Sequence, residues 1–324
     1  MGVNASVLAI DAGNSKTDVA LIGADGTVLS TARGGGFQPP AVGIETAVDA
    51  LGSAVGRALE QSGVPVGSVA HVSACLANAD LPVEEEQLAA ALLARGWGAT
   101  VEVRNDTFAI LRAGVDEPRG VAVVCGAGIN CVGMVPDGRT ARFPAIGRIS
   151  GDWGGGAGLA EEAMWFAARA EDGRGGPTEL VRTLPGHFGL GSMYALIEAL
   201  HLGRVEFERR HELAPVLFAT AAAGDAVAGA LVDRLAEEVV AMASVALGRL
   251  GLLDEQAPVV LGGSVLAARH PQLDAKITEL LAARAPKAVI RVVTQPPVLG
   301  AALLGLDHTG AAAPVHERLR AQYG

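Results

Sequence analysis

The chain carries one arrangement twice: three short apolar strands joined by glycine-containing turns, then alternating helix and strand. Ser6–Asp11, Thr17–Gly23 and Thr27–Ala32 read as the first meander, and Gly120–Cys125, Cys131–Val135 and Arg139–Phe143 as the second. After the first, Ile44, Val48, Leu51, Val55 and Leu59 recur at three- and four-residue spacing, which predicts an amphipathic helix. Val69–Cys75 and Thr100–Arg104 follow as strands around a helix over Val83–Arg95, whose opening glutamates suit the positive end of a helix dipole. After the second meander, helices are expected over Leu159–Ala170, Met193–Leu202 and Ala226–Leu250. Strands Val259–Leu261 and Ala288–Val293, with a helix between them, and helical segments Val298–Leu306 and Val315–Gln322 complete the chain. A repeated meander with α/β alternation predicts a duplicated α/β fold, and 324 residues suffice for two cores. The expected division is residues 1–117, with 306–324 packing back on them, against 118–305, which carry a helical insertion. The charged, proline-containing stretch Val115–Arg119 is the candidate hinge.

Composition removes several function classes. A net charge of −10, no basic run and only 4% aromatic residues argue against a nucleic-acid surface. A nucleotide remains compatible, because backbone amides bind phosphate without a basic surface. Half of the residues are hydrophobic, yet no apolar run approaches the roughly 20 residues that span a bilayer. With no secretory signal pattern either, the expected location is the cytoplasm. Met1-Gly2 with Ser6 matches a loose myristoylation pattern, but Ser6 opens a core strand. Cys75, Cys125 and Cys131 cannot all pair, which suits a reducing compartment, and they read as small thiols packed in strands. The seven histidines show no metal-ligand spacing along the chain.

Three glycine-rich turns each follow a strand directly. Asp11-Ala12-Gly13-Asn14-Ser15-Lys16-Thr17 joins the first two strands, where Gly13 admits close approach to the backbone and the next four residues offer donors. Asp11 ends its strand, where a carboxylate can hold magnesium through water. The segment is not a Walker loop, since the spacing is absent and a strand follows. Taken alone, an ordinary hairpin explains it as well as a phosphate cradle does. Cys125-Gly126-Ala127-Gly128-Ile129-Asn130 occupies the equivalent place in the second half, and Leu261-Gly262-Gly263-Ser264 forms the third turn. Asn105-Asp106 ends a strand and opens a helix; Asp there is a common N-cap.

With these turns in place, the chain from Asp11 to about Leu306 resembles the actin/hexokinase/heat-shock chaperone superfamily. More narrowly it is similar to the N-acetylglucosamine kinase branch of the family that also holds the benzoyl-CoA reductase activator ATPases. The resemblance implies two ribonuclease H-like (actin-like ATPase) domains around a central nucleotide and sugar cleft. ATP would be held by Gly13, Asn14, Ser15, Lys16 and Thr17 on one side and Gly126, Ala127 and Gly128 on the other. Gly262, Gly263 and Ser264 would border the adenosine, and Gly300-Ala301-Ala302 would close the far side. Asp106 would be the catalytic base, taking the sugar hydroxyl proton. Asn105, Asp106, Asn130, Asp152 and Gln38 would meet the sugar, and Asp11 the Mg2+ ion.

The implied reaction is phosphorylation of an amino sugar, N-acetylglucosamine to its 6-phosphate, with closure of the two domains on the sugar. The segment His187-Phe188-Gly189-Leu190 reads as an ordinary loop first and as a homodimer contact second. Three positions depart from the family pattern: Trp153 within Gly151-Asp152-Trp153-Gly154-Gly155-Gly156, Gln38, and Ala77. They bear on sugar identity, so glucosamine or a muramic-acid derivative is an alternative substrate. An activator ATPase sharing an iron–sulfur cluster would need well-placed cysteines, and Cys125 and Cys131 flank a phosphate turn instead. A non-catalytic sugar sensor is the remaining class. No basic helix-turn-helix precedes Asp11, and the cysteine-rich zinc motif of the repressor-related sugar kinases is missing.

Overall fold

A computed structural model describes residues 5–324, so the Met1-Gly2 pattern lies outside the described residues. The first meander forms β1 (Ala5–Ala12), β2 (Thr17–Gly23) and β3 (Val28–Gly34). Strands β1 and β2 run antiparallel, with Ala12 opposite Thr17, and β2 pairs antiparallel with β3. A short α1 (Pro39–Val42) leads into α2 (Ile44–Ser62), whose buried stripe is Ala47, Val48, Leu51, Ala54, Val55, Ala58 and Leu59. Gly63 ends α2 in the left-handed region at φ 67°, its N–H returning to the Glu60 carbonyl. Next come β4 (Val69–Leu76), α3 (Pro82–Ala94), β5 (Gly98–Asn105) and α4 (Thr107–Gly114). Strand β4 lies parallel to both β1 and β5, giving the order β3-β2-β1-β4-β5. Leu8, Ile10, Leu21, Leu51, Val72, Leu76, Leu88 and Leu92 are at the heart of this core.

The second meander forms β6 (Gly120–Cys125), β7 (Ile129–Met134) and β8 (Thr140–Arg142). Helices α5 (Gly155–Glu171), α6 (Leu180–His187), α7 (Met193–His201), α8 (Leu213–Ala222) and α9 (Ala226–Leu250) follow. The chain then returns to strand in β9 (Pro258–Gly262), passes α10 (Gly263–Ala267) and α11 (Pro271–Arg284), and pairs β10 (Val289–Val292) parallel to β9. It ends in α12 (Pro297–His308) and α13 (Ala313–Ala321). The second sheet has the order β10-β9-β6-β7-β8. Numbering each half's strands from one, both sheets read 3-2-1-4-5, so the duplication is topological. The strand patterns anticipated this α/β repeat, with ends shifted by at most two residues. Helices α6 and α8 were not anticipated, and each carries a proline, Pro185 and Pro215, that weakens a helical pattern.

Compactness divides the chain into two units. One holds the residues up to Ala122 with Val132–Pro144 and Val293–Gly324; the other holds Val123–Cys131 and Ala145–Val292. In the first unit α12 lies against α4 so closely that a Cβ on Gly300 would stand 1.8 Å from the Ala109 carbonyl oxygen. The Ser73 hydroxyl of β4 donates to the Ala301 carbonyl at 2.7 Å. Arg112 of α4, fully buried, donates to both Asp307 carboxylate oxygens at 2.7 and 3.1 Å and to the Val115 and Asp116 carbonyls. Arg320 of α13 donates to the Ala113 carbonyl at 3.0 Å, and Gln322 exchanges bonds with Gly26 and Val28. The last two helices are thus tied to the first sheet and to α4.

Gly300→Ala is expected to destabilise the protein by about 1–3 kcal/mol or more, because the colliding atom is backbone and cannot rotate away. Urea unfolding checks it: the midpoint falls at unchanged slope, and a wild-type midpoint would contradict this packing.

Candidate active site

Asp11 is the penultimate residue of β1 and only 8% exposed. Its register partner on β4 is Cys75, and Leu76 of β4 is opposite Asn105 of β5, so Asp11 and Asp106 emerge at the same ends of parallel strands. That end is where α/β sheets place ligands. Burial raises the Asp11 carboxyl to about 8, with Asp106 and Asp18 adding to the rise and Lys16 opposing it. Asp106 is raised to about 6 by burial, against the opposing influence of Thr107. Two carboxyl groups whose ionisation is suppressed in one place form a site suited to proton transfer or to a cation.

Asp106 stands at the N-cap position of α4, yet its side chain makes no capping bond. Asn105 does that work: its Oδ1 accepts the Thr107 N–H at 2.9 Å, while its Nδ2 donates to Asp80 at 2.8 Å. The Asn105 backbone N–H donates to Glu85, whose other oxygen accepts from Arg142 at 2.6 Å. Asn105 is therefore a buried holder of the turn beneath Asp106, and it leaves the Asp106 carboxylate free of helix capping.

The first hairpin closes through the Gly13 N–H donating to the Lys16 carbonyl at 2.9 Å, leaving Asn14, Ser15 and Lys16 exposed at its tip. Gln38 donates from Nε2 to the Asn14 carbonyl, and Asn78 donates to Asn14 Oδ1, both at 2.9 Å. Thr17 is buried with its hydroxyl on the Gly35 carbonyl at 2.8 Å, so only its backbone belongs to the turn's surface. Lys16 pairs with Asp18 at 3.1 Å. Burial works against the Asp18 charge, but bonds from Arg33 and Lys16 prevail and hold its carboxyl below the ordinary value. Asn78 was missed in the sequence; its signal is a non-glycine φ of 62°, which no sequence spacing reveals.

In the second unit the Gly126 N–H donates to the Gly128 carbonyl at 2.9 Å. A side chain on Gly126 or Gly128 would meet only open space, so internal packing does not require glycine at either position. The first turn of α5 docks on this hairpin: Gly156 N–H reaches the Gly126 carbonyl at 2.7 Å and Ala157 N–H the Ala127 carbonyl at 3.0 Å. Gly155, at φ 73°, passes so near that a Cβ would lie 2.4 Å from the Ala127 oxygen. Gly263, at φ 81°, approaches the Cys125 carbonyl equally closely, and Gly262 caps the same short helix.

Two cavities flank the hairpin. One, of about 230 Å³, is lined by Ile129, Arg148, Asp152, Trp153, Ala157 and Glu161, among others. Asp152 Oδ2 accepts the Gly147 N–H at 2.9 Å and the Ser150 hydroxyl at 2.6 Å, which fixes the carboxylate. The Arg234 guanidinium lies 4.2 Å from the centre of the buried Trp153 ring. Glu238, one turn along α9, has its carboxyl raised by burial and then by Asp152, with Arg234 opposing. Asn130 is half-buried, its Oδ1 accepting the Cys131 N–H at 2.7 Å. The other cavity, of about 360 Å³ and largely apolar, is lined by Gly126, Ala127, Phe218, Ser264, Val265 and His270, among others. The Phe218 and His270 rings stack there at 3.8 Å.

The structure thus gathers Asp11, Asp106, Gln38 and the Gly13–Thr17 turn in the first unit. In the second it gathers Gly126–Gly128, Asp152 and Ser264. Gly300, Ala301 and Ala302 are buried in α12 against α4. His187 ends α6 and is bonded to Glu212 at 2.8 Å, with Arg209 over the Phe188 ring.

The chain is 23% identical over 320 residues to the N-acetyl-D-glucosamine kinase of Dictyostelium discoideum, covering 93% of this chain and 97% of that one. It is 24% identical over 260 residues to the N-acetylmuramic acid/N-acetylglucosamine kinase of Clostridium acetobutylicum, covering 80% and 85%. Among solved structures, a Chromobacterium violaceum protein provisionally named N-acetylglucosamine kinase superposes with a TM-score of 0.70 at 25% identity, over 94% of this chain and 99% of that one. Two halves of one strand order, matching turns after equivalent strands, and a match to the family's profile over residues 8–305 lead to one conclusion: the chain belongs to the BadF/BadG/BcrA/BcrD ATPase family.

Proposed function

We propose that this chain is an ATP-dependent kinase that transfers the γ-phosphoryl group to a hydroxyl of an amino sugar, N-acetylglucosamine foremost, giving N-acetylglucosamine 6-phosphate. The observation that carries this reading is the pair of carboxyls whose ionisation is suppressed, the buried Asp11 and the half-buried Asp106, beside an exposed hairpin tip. Asp106 takes the proton of the sugar hydroxyl as its oxygen attacks the γ-phosphorus, and the bond to the leaving ADP oxygen breaks. A base raised to about 6 is ionised at neutral pH and still basic enough to accept that proton. Asp11 fits a magnesium ion held through water: it is an oxygen donor whose negative charge is disfavoured by burial and by Asp106 until a cation compensates it. Such an ion neutralises charge on the phosphoryl oxygens.

The turn Gly13–Thr17 and, in the other unit, the turn Gly126–Gly128 are each candidates to bind phosphate through backbone N–H groups, and the open space beside Gly126 and Gly128 suits close approach of a ligand. The apolar cavity at Phe218, Ser264 and His270 suits the adenine base. Asp152 meets the sugar hydroxyls; Trp153, held under Arg234, shapes that cavity's wall. N-acetylmuramic acid is the alternative substrate, and Arg148, paired with Glu162, is the one cationic side chain lining this cavity. All three cysteines are buried, and burial pushes the Cys125 thiol up to about 12, which disfavours thiolate ligands for an iron–sulfur cluster. ADP release measured across amino sugars with magnesium and ATP tests the reading; no turnover with any of them would defeat it.

Asp106→Asn is expected to lower kcat by about 10²–10⁴-fold while ATP and sugar still bind, because an amide cannot take the proton. In the wild type, kcat/KM for the sugar falls as pH drops below about 6, the point at which the free base is protonated. Wild-type turnover in the variant would reduce Asp106 to a structural residue.

Asp152→Asn is expected to raise the sugar KM with kcat less affected, as for a contact present in ground and transition states alike. Steady-state kinetics separate this from the Asp106 effect.

The Asp11 carboxyl is raised in the folded chain, so it costs nothing at low pH, where it is protonated folded or unfolded. Its cost grows as pH rises from 3.8 to about 8 and is constant beyond. Asp11→Asn is therefore expected to gain stability over the wild type across that window, by up to about 1.4 kcal/mol per pH unit, in nucleotide-free denaturation. The same variant weakens magnesium-dependent ATP binding, which calorimetry reads directly.

A further inference from the structure

Away from the strand ends that carry Asp11 and Asp106, the first unit brings together three residues with metal-binding donors. His71 on β4, Glu102 on β5 and His308 at the end of α12 place one donor atom each within 4.8 Å of one another. His71 is five residues before Leu76 on an extended strand, roughly 16 Å from the catalytic end at about 3.3 Å per residue. The cluster is therefore separate from the proposed kinase chemistry.

The hydrogen bonds around His71 fix which nitrogen is available. The Thr100 hydroxyl donates to the Ala70 carbonyl at 3.2 Å, so its oxygen accepts the proton of His71 Nδ1 at 2.9 Å. The lone pair then resides on Nε2, which is buried and has no hydrogen-bond partner, in a residue 1% exposed. An imidazole whose other nitrogen donates to an oxygen acceptor is the arrangement that orients a histidine for a metal. Glu102 gives Oε1 to Arg104 at 2.8 Å and turns Oε2 toward His308 Nδ1 at 3.9 Å.

His308 supplies the moving part. Its ring stacks on His71 at 3.9 Å with 12° between the planes. A metal lies in the plane of each imidazole that binds it, so these two parallel rings cannot share one ion as they stand. The His308 side chain is 46% exposed and has room to rotate about its own bonds. Beside it lies a cavity of about 220 Å³, lined by Glu102, Arg104, Leu304 and His308 among others, which leaves a fourth coordination position to water or a small ligand.

We propose that His71, Glu102 and His308 form a zinc-type divalent metal site, two imidazoles and a carboxylate, that clips the end of α12 to β4 and β5. Two nitrogens and a carboxylate oxygen with one open position match zinc's preferred donors and coordination number. The test uses the full chain, stripped with chelator and titrated with Co2+ as a visible probe. One equivalent should produce tetrahedral cobalt absorption that Zn2+ abolishes, and Asp11→Asn, which disables the proposed magnesium position, should leave it intact. His308→Ala, at a half-exposed position that does not threaten folding, should weaken the binding by at least about tenfold, and Glu102→Gln likewise. Absence of the absorption, its loss in Asp11→Asn, or equal affinity in wild type and both ligand variants would overturn the assignment.

Discussion

A carboxyl group held out of water, where its ionisation is suppressed, is the constraint from which the first unit is best understood. Asp11 is nearly enclosed, its neighbours Asp106 and Asp18 carry the same charge, and Lys16 only partly offsets them. A protein bears such a cost where a bound group repays it, and the surroundings are built to hold the site rigid until then. Asn105 takes over the capping of α4, Glu85 and Asp80 hold Asn105, and Arg142 holds Glu85. The chain after β4 is fixed by the Ala77 N–H on the Ala12 carbonyl at 2.7 Å. Behind this shell α12 packs directly on α4, so the floor beneath Asp106 is backbone against backbone.

The second unit answers a different demand. Its hairpin carries no titratable side chain, and its shape comes from amide geometry: one bond across the turn and two from the start of α5. What is charged sits at a distance, in Asp152, Glu238 and Arg234, where Trp153 lies beneath the guanidinium. The strand ends of the first unit thus carry two carboxyls whose ionisation is suppressed, and the corresponding hairpin of the second is backbone alone, though both halves share the same strand order.

How much of this was legible in the sequence depended on whether the signal was local. The meanders, their turns and the stripe of α2 were readable because strand alternation and helical spacing act over a few residues. The Asn105-Asp106 pair was readable as a position, but the division of labour within it was not. Which of the two caps the helix depends on Asp80 and Glu85, some twenty to twenty-five residues away. Asn78, Arg234 and Glu238 were invisible for the same reason: each earns a role only from a partner distant in the chain. Histidine spacing gave no hint of the His71 and His308 encounter, since 237 positions separate residues that the sheet and α12 bring into ring contact.

The close approach of Gly155 and Gly263 to the Gly126 hairpin has a consequence for how such a chain can be varied. Main-chain atoms alone hold the loop in shape, through positions where any side chain would collide. Loop shape therefore rests on backbone contacts, whereas the cavity lining beyond Gly126, Ala127, Gly128 and Gly156 is set by side chains. A combinatorial library can recode Arg148, Glu161, Phe218 or His270 to admit other sugars or bases without disturbing the cradle between them, provided that positions 155 and 263 stay fixed. On the proposed reading, the side chains that would recognise a ligand are distinct from the backbone groups that would hold its phosphates, which opens the recognition side to redesign.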